Sequence, residues 1–213
     1  MAPTAKDEER RSRILDAASS VFAEEGFAGA RVDEIAARAG VNKAMLYYHV
    51  GDKTALYSAV LLRNLDRVRT ALGEALAVEG SARHRLEAVI TALTRMVQQH
   101  PDHPRIVLRE IASGAAHLEP EVLAAMLEAV DVVRGLITEG TRSGEFRSMD
   151  PVLTHLTLVG AVVFLNATAP IRERAAAHGP AFELPEPTAD VAGFLNQILL
   201  DGLAASTTSG ESS

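Results

Sequence analysis

The sequence predicts an all-α fold in two domains. Three short helices form an N-terminal helix-turn-helix domain, and a longer helical domain follows, about nine helices in all. Three observations predict this. Apolar residues recur at helical spacing through most of the 213 residues. Capping residues, prolines and glycines punctuate the chain at helix-length intervals. No segment sustains the period-two alternation of a strand, and there is no internal repeat.

Residues 1–6 are expected to be loose, with Thr4 and Asp7 capping a first helix to about Glu25. Its core face is Ile14, Ala17, Ala18, Val21 and Phe22, and Gly26 stops it. The second helix buries Val32, Ile35, Ala36 and Ala39, and Gly40 ends it, because glycine accepts the left-handed conformation cheaply. Asn42 caps the third helix, which buries Leu46 and Val50. Asp52 opens a long fourth helix to about Leu76. The fifth runs from Ser81 to His100. Pro104 suits the first turn of a short sixth, broken at Ser113-Gly114. The seventh starts at Glu119-Pro120 and closes at Gly140, before a hook from Thr141 to Met149. Asp150-Pro151 opens the eighth, to about Ala169. A proline-rich loop covers 179–187, Thr188 caps the ninth through Leu203, and a polar, disordered tail follows. The domain boundaries are 1–53, 54–205 and 206–213.

Two short helices joined by a glycine-containing turn are the helix-turn-helix signature, whose second helix enters a DNA major groove. Ile35-Ala36-x-x-Ala39-Gly40-Val41-Asn42-Lys43-x-x-Leu46-Tyr47-x-x-Val50-x-Asp52-Lys53-x-x-Leu56 resembles the signature of the tetracycline-repressor (TetR-like) family of bacterial transcriptional regulators. The resemblance covers roughly residues 8–60, and the remainder is similar in layout only. It implies that Lys43, Tyr47 and Lys53 meet the DNA backbone. Asn42, Ala44, Met45, Tyr48 and His49 then face base edges or the groove wall. Arg31 stands where Thr often caps the second helix, and is expected to reach a phosphate or a minor groove. Ala44-Met45 stand where Gly-Thr is common, and Val50 replaces an aromatic.

The resemblance also implies a homodimeric repressor that binds a palindromic operator on double-stranded DNA and is released by a small, mainly apolar effector. The effector cavity is expected among helices four to eight. Candidate ligand residues are Met96, His100, Arg109, Met126, Val130, Thr157 and Phe164. For Met96, Met126 and Phe164, plain core packing is the competing reading. Dimerisation is expected through helices eight and nine, whose apolar residues exceed what a soluble acidic monomer exposes: Val152, Leu156, Val159, Val163 and Phe164, then Val191, Phe194, Leu195, Ile198 and Leu199.

Composition limits the other classes. The net charge is −7, and residues 1–56 carry 8 basic against 9 acidic side chains, including all three lysines. General polyanion binding therefore finds no support, and basic groups must be concentrated on one face. With no Cys and no secretory signal, a cytoplasmic location is expected. The apolar stretch 152–169 is interrupted by Thr154, His155, Thr157 and Asn166, so no membrane span is expected. No phosphate loop, nucleophile elbow or zinc-protease motif is present, and no enzyme and no cofactor are expected. His100, Asp102, His103 and His117 have ligand chemistry, but Pro101 and Pro104 mark a surface connector, so no metal site is expected. The alternative class is a helical interaction protein that has lost DNA binding.

Overall fold

The computed structural model describes residues 4–177 and 190–204. Among them are ten helices and no strand: α1 (Ala5–Gly29), α2 (Val32–Ala39), α3 (Lys43–Val50), α4 (Lys53–Leu76), α5 (Ala82–Gln99), α6 (Asp102–Ala112), α7 (Pro120–Ser143), α8 (Pro151–Ala167), α9 (Ala169–Ala177) and α10 (Val191–Leu203).

The all-α expectation holds, with local corrections. α1 starts at Ala5, because Thr4 and Asp7 form a full capping box that recruits Lys6. Gly26, at φ 72°, breaks the regular helix without ending it, and the chain continues helical to Gly29. α7 runs on to Ser143 and stops at Gly144, whose φ is 78°. Gly140 serves packing instead: a Cβ there would lie 2.2 Å from the Phe146 ring. α9 is the helix the sequence reading lacks. Pro170 has no N–H for the i−4 carbonyl, so the chain bends after α8. Arg172 donates to Leu165 O at 2.7 Å, and the Thr168 hydroxyl to Phe164 O at 2.9 Å, which satisfies the carbonyls at the break. The predicted ninth helix is therefore α10. It is capped by Asp190, which accepts from Gly193 N at 2.8 Å. Thr188, the 179–187 loop and the 206–213 tail lie outside the described residues.

The chain divides into two compact units, Met1–Arg67 with His100–Met126, and Val68–Gln99 with Leu127–Ser213. This differs from a cut at residue 53, because α6 packs on α1 and Ile106 and Val122 join the core of the first unit. That core also holds Ile14, Phe22, Ile35, Leu46, Leu56 and Val60. The second unit packs α5, α8 and α10 around Leu86, Ile90, Leu158 and Leu195, with Ile137 and Phe146. Its hook is tied by polar bonds. The Glu145 carboxylate accepts from the backbone N–H of Ala82 at 3.3 Å and of Arg83 at 3.0 Å, at the start of α5. These bonds hold its pKa below the usual carboxylate range. Arg147 N donates to Leu203 O at 2.9 Å.

Candidate nucleic-acid interface

The turn between α2 and α3 is built by local chemistry. Gly40 is left-handed at φ 66°, so Val41 N can reach back to Ala36 O at 3.0 Å and Gly40 N to Ala37 O at 3.2 Å. Those two bonds satisfy the carbonyls orphaned at the end of α2. The Asn42 side chain then accepts from Met45 N at 2.8 Å and starts α3. Leu46 and Val50 bury one face of α3 against α1 and α2. The opposite face is outward by default.

That face carries Lys43, Ala44, Tyr47 and Tyr48, all exposed, with Asn42 at its start. Tyr48 is 84% exposed and meets the His49 ring edge-on at 5.2 Å. A large aromatic left in water on a short helix has no role in the core of its own unit. Met45 and His49 are half-buried, so they border the face and do not crown it. Arg31 is exposed, in extended conformation before α2, and makes no side-chain cap.

The cations are partly committed. Lys43 Nζ lies 2.9 Å from Asp33 Oδ1, and this hydrogen bond raises its pKa. Arg38 donates to both oxygens of Glu24, at 2.9 and 2.7 Å, and to Glu34 at 2.6 Å. Lys53 Nζ sits 4.9 Å over the Phe27 ring and 3.4 Å from Ala28 O. Phe27 is fixed in turn by His117 at 4.3 Å and Tyr57 at 5.2 Å. The Tyr57 hydroxyl donates to Glu110 Oε1 at 2.7 Å, and His117 Nδ1 lies 2.9 Å from the same oxygen. Burial first, and this bond second, push the tyrosine pKa up. The sequence reading missed Asp33, Arg38 and the Glu110 cluster. Only the i,i+4 spacing of Glu34 and Arg38 was a readable signal.

The candidate ligand residues are divided between the two units. His100, Arg109 and Met126 belong to the first unit; Met96, Val130, Thr157 and Phe164 belong to the second. Arg109 is a capping residue: its Nε donates to Ala23 O at 3.0 Å and its Nη2 to Glu24 O, where α1 kinks at Gly26. Met126 is exposed, and Met96 is packed in the second core. Thr157 and Phe164 face outward, and the Thr157 hydroxyl is spent on Leu153 O at 2.8 Å. Asn166 likewise donates to Val162 O at 2.7 Å. Among the described residues of the second unit, the buried side-chain atoms without a hydrogen-bond partner are Arg85 Nε, Thr94 Oγ1, His155 Nδ1 and Asn196 Oδ1. His117 is placed under Phe27, and among the described residues no group of three or more His, Asp or Glu is arranged to hold a metal. No single described helix is long and apolar enough to cross a membrane; only α8 with α9, bent by 42°, reaches that length.

The dimer assignment splits similarly. Val191 and Leu195 are buried in the core of the second unit, and Val163 is 5% exposed, so these three are not free for a partner. Val152, Leu156, Phe164, Phe194 and Ile198 are exposed, and Leu153, absent from the expectation, is 64% exposed.

An all-α chain that presents a capped, outward-facing helix behind a left-handed glycine turn is a helix-turn-helix DNA-binding regulator. The profile described as "Bacterial regulatory proteins, tetR family" matches residues 14–60, and that of the "Tetracyclin repressor-like, C-terminal domain" matches 79–166. The chain is 32% identical over 174 residues to the HTH-type transcriptional activator FasR of Mycolicibacterium smegmatis, covering 81% of this chain and 80% of FasR. It therefore belongs to the tetR family of bacterial regulatory proteins. It is 30% identical to the HTH-type transcriptional repressor NicS of Pseudomonas putida, over 70% of this chain and 71% of NicS. The structure of the ketosteroid transcriptional regulator KstR2 of Mycobacterium tuberculosis shares the fold, with TM-score 0.72 and 19% identity over 92% and 96% of the two chains.

Proposed function

We propose that this regulator binds a palindromic operator as a homodimer, acts as a repressor in the cytoplasm, and is released by a small, mainly apolar effector. One observation carries the DNA part: Lys43, Ala44, Tyr47 and Tyr48 share the outward face of α3, with Arg31 and Lys53 at the neighbouring helix starts. In this reading Lys43, Lys53, Arg31 and the Tyr47 hydroxyl meet phosphates, which positions the helix without reading sequence. Tyr48, His49 and Asn42 meet base edges, and Ala44 and Met45 offer apolar contact to thymine methyls. DNA phosphates must then compete with Asp33 for Lys43.

The exposed apolar side chains of α8 and α10 support the homodimer. A cleft of about 320 Å³, lined by Leu153, Leu158, Ile198 and Leu199, adjoins them on the same unit. The effector reading is supported by the interior of the second unit, which is apolar except for Thr94, Thr154 and His155. Sparse unpartnered polar atoms in an apolar interior are the usual dress of a small-molecule site. Effector binding would act by population shift, limited by its differential affinity for the two states.

Selection of bound sequences from random DNA tests the proposal, followed by retardation of the recovered DNA with and without candidate effectors and a reporter assay for the direction of control. A recovered palindrome supports it. The second reading, an interaction protein without DNA affinity, draws on the acidic balance and on the pairing of Lys43 and Arg38 with acids. A pool that never converges would favour it.

A further inference from the structure

Lys53 is seated over Phe27, and Phe27 is held from α6. The ring needs holding because Gly26, at φ 72°, takes the chain out of regular helix just before it. Arg109 grips the near side of that kink, its Nε donating to Ala23 O at 3.0 Å and its Nη2 to Glu24 O. The approach is close, since a Cβ on Gly26 would lie 3.1 Å from Arg109 Nη1. Glu110, the next residue, holds the far side through two other side chains. It is 6% exposed, and its Oε1 accepts from the Tyr57 hydroxyl at 2.7 Å and lies 2.9 Å from His117 Nδ1. Both rings so fixed pack on Phe27, Tyr57 edge-on at 5.2 Å and His117 tilted at 4.3 Å. All these residues belong to the first unit.

The Lys53 ammonium sits 4.9 Å from the Phe27 centroid and 3.4 Å from Ala28 O, two groups that lie beyond the kink. A lysine is a point charge on a flexible stem, and the face of an aromatic ring attracts it. The ring therefore sets the place of the charge, and Glu110 sets the place of the ring. Stability alone is a poor account of Glu110. Its Oε2 is buried and makes no hydrogen bond, and a buried carboxylate with an unpaired oxygen is costly. A buried polar group left in that condition calls for a reason, and the two rings on its other oxygen supply one.

We propose that Glu110 is a positioning residue for DNA binding: through Tyr57 and His117 it fixes Phe27, and Phe27 presents the Lys53 ammonium to a phosphate. This rests on the reading of Lys53 as a phosphate contact, and adds the buried residues that hold the contact in place.

The test is retardation of the selected operator by the full-length protein across a salt series, with circular dichroism reporting the folded fraction. A smaller folded fraction lowers affinity by one factor at every salt concentration. A lost phosphate contact instead reduces the slope of log affinity against log salt, by about 0.9. Glu110→Leu and Phe27→Leu should therefore move the slope toward that of Lys53→Ala. Glu110→Gln keeps an oxygen to accept from both partners and should keep the wild-type slope. If Glu110→Leu does not fold, Tyr57→Phe combined with His117→Phe carries the same test, because it keeps both rings and cuts both bonds to Glu110. In a Lys53→Ala background none of these changes should reduce the slope further. Wild-type slopes in the folded variants, or a further fall on top of Lys53→Ala, would overturn the positioning role and leave Lys53 as a phosphate contact. A Lys53→Ala protein with wild-type slope and affinity would remove the phosphate reading itself, and the proposal with it.

Discussion

Lys53 shows how a single residue was legible and its setting was not. Its place at the start of α4 follows from Asp52 and the turn before it, which are local. Its seat over Phe27, held by Tyr57, His117 and Glu110, depends on α6, a stretch some fifty residues away in sequence. Lys53→Ala and Tyr47→Phe are expected to weaken binding to all DNA sequences by similar factors. Lys53→Ala should also reduce the slope of log affinity against log salt by about 0.9, whereas Tyr47→Phe, which removes no charge, should leave it unchanged. Retardation at several salt concentrations checks this, and a change of base preference at full affinity would count against it. His103 gives a second expectation. Its folded pKa of about 4 lies below the usual 6.5, so the unfolded chain takes up the proton first. The stability it contributes is full above pH 6.5 and is lost as pH falls toward 4, up to about 3 kcal/mol. Denaturant melts at pH 7 and pH 5 should show this loss, and His103→Phe should shrink the difference between them. Candidate ligand residues were the least legible, since burial and partners decide them: Arg109 reads as a free cation in the sequence and is a helix cap in the structure.

At the scale of elements, caps and turns were readable because they are short-range. Thr4, Gly40, Asn42 and Asp150 do what their types and positions imply. Two features escaped. α9 has no amphipathic signature of its own, since it is short and rich in alanine. Gly140 looks like a helix stop, yet it lies within α7 because Phe146 occupies the space of its absent Cβ. Gly140→Ala should therefore destabilise the second unit. The gain in helix propensity is about 1 kcal/mol, while overpacking typically costs about 1–3 kcal/mol, and more if Phe146 leaves the core. A rise in thermal midpoint would refute that account. α8 and α10 carry apolar residues on two faces, and a sequence cannot say which face the protein keeps for itself. The structure keeps Val163 and Leu195 and leaves Phe164 and Phe194 outside. Phe194→Glu should dissociate the proposed dimer while leaving each subunit folded, because Phe194 is 54% exposed in its own unit. Sedimentation checks this, and a wild type that is monomeric at micromolar concentration would mean the seam is misassigned.

At the scale of the molecule, the division at residue 53 follows the motif, whereas the compact unit follows the contacts. α6 and the start of α7 complete the core behind the helix-turn-helix, and nothing in their sequence announces that destination. In the proposed function, α3 reads DNA from a surface whose cations are few and partly paired. The most direct measurement is the affinity of the full-length protein for the selected operator across a salt series, for wild type and for Tyr48→Ala. The account predicts specific binding that weakens steadily with salt. Tyr48→Ala should lose discrimination by about 1–3 kcal/mol with the salt slope unchanged. Affinity insensitive to salt, or a Tyr48→Ala protein that discriminates as well as wild type, would contradict it.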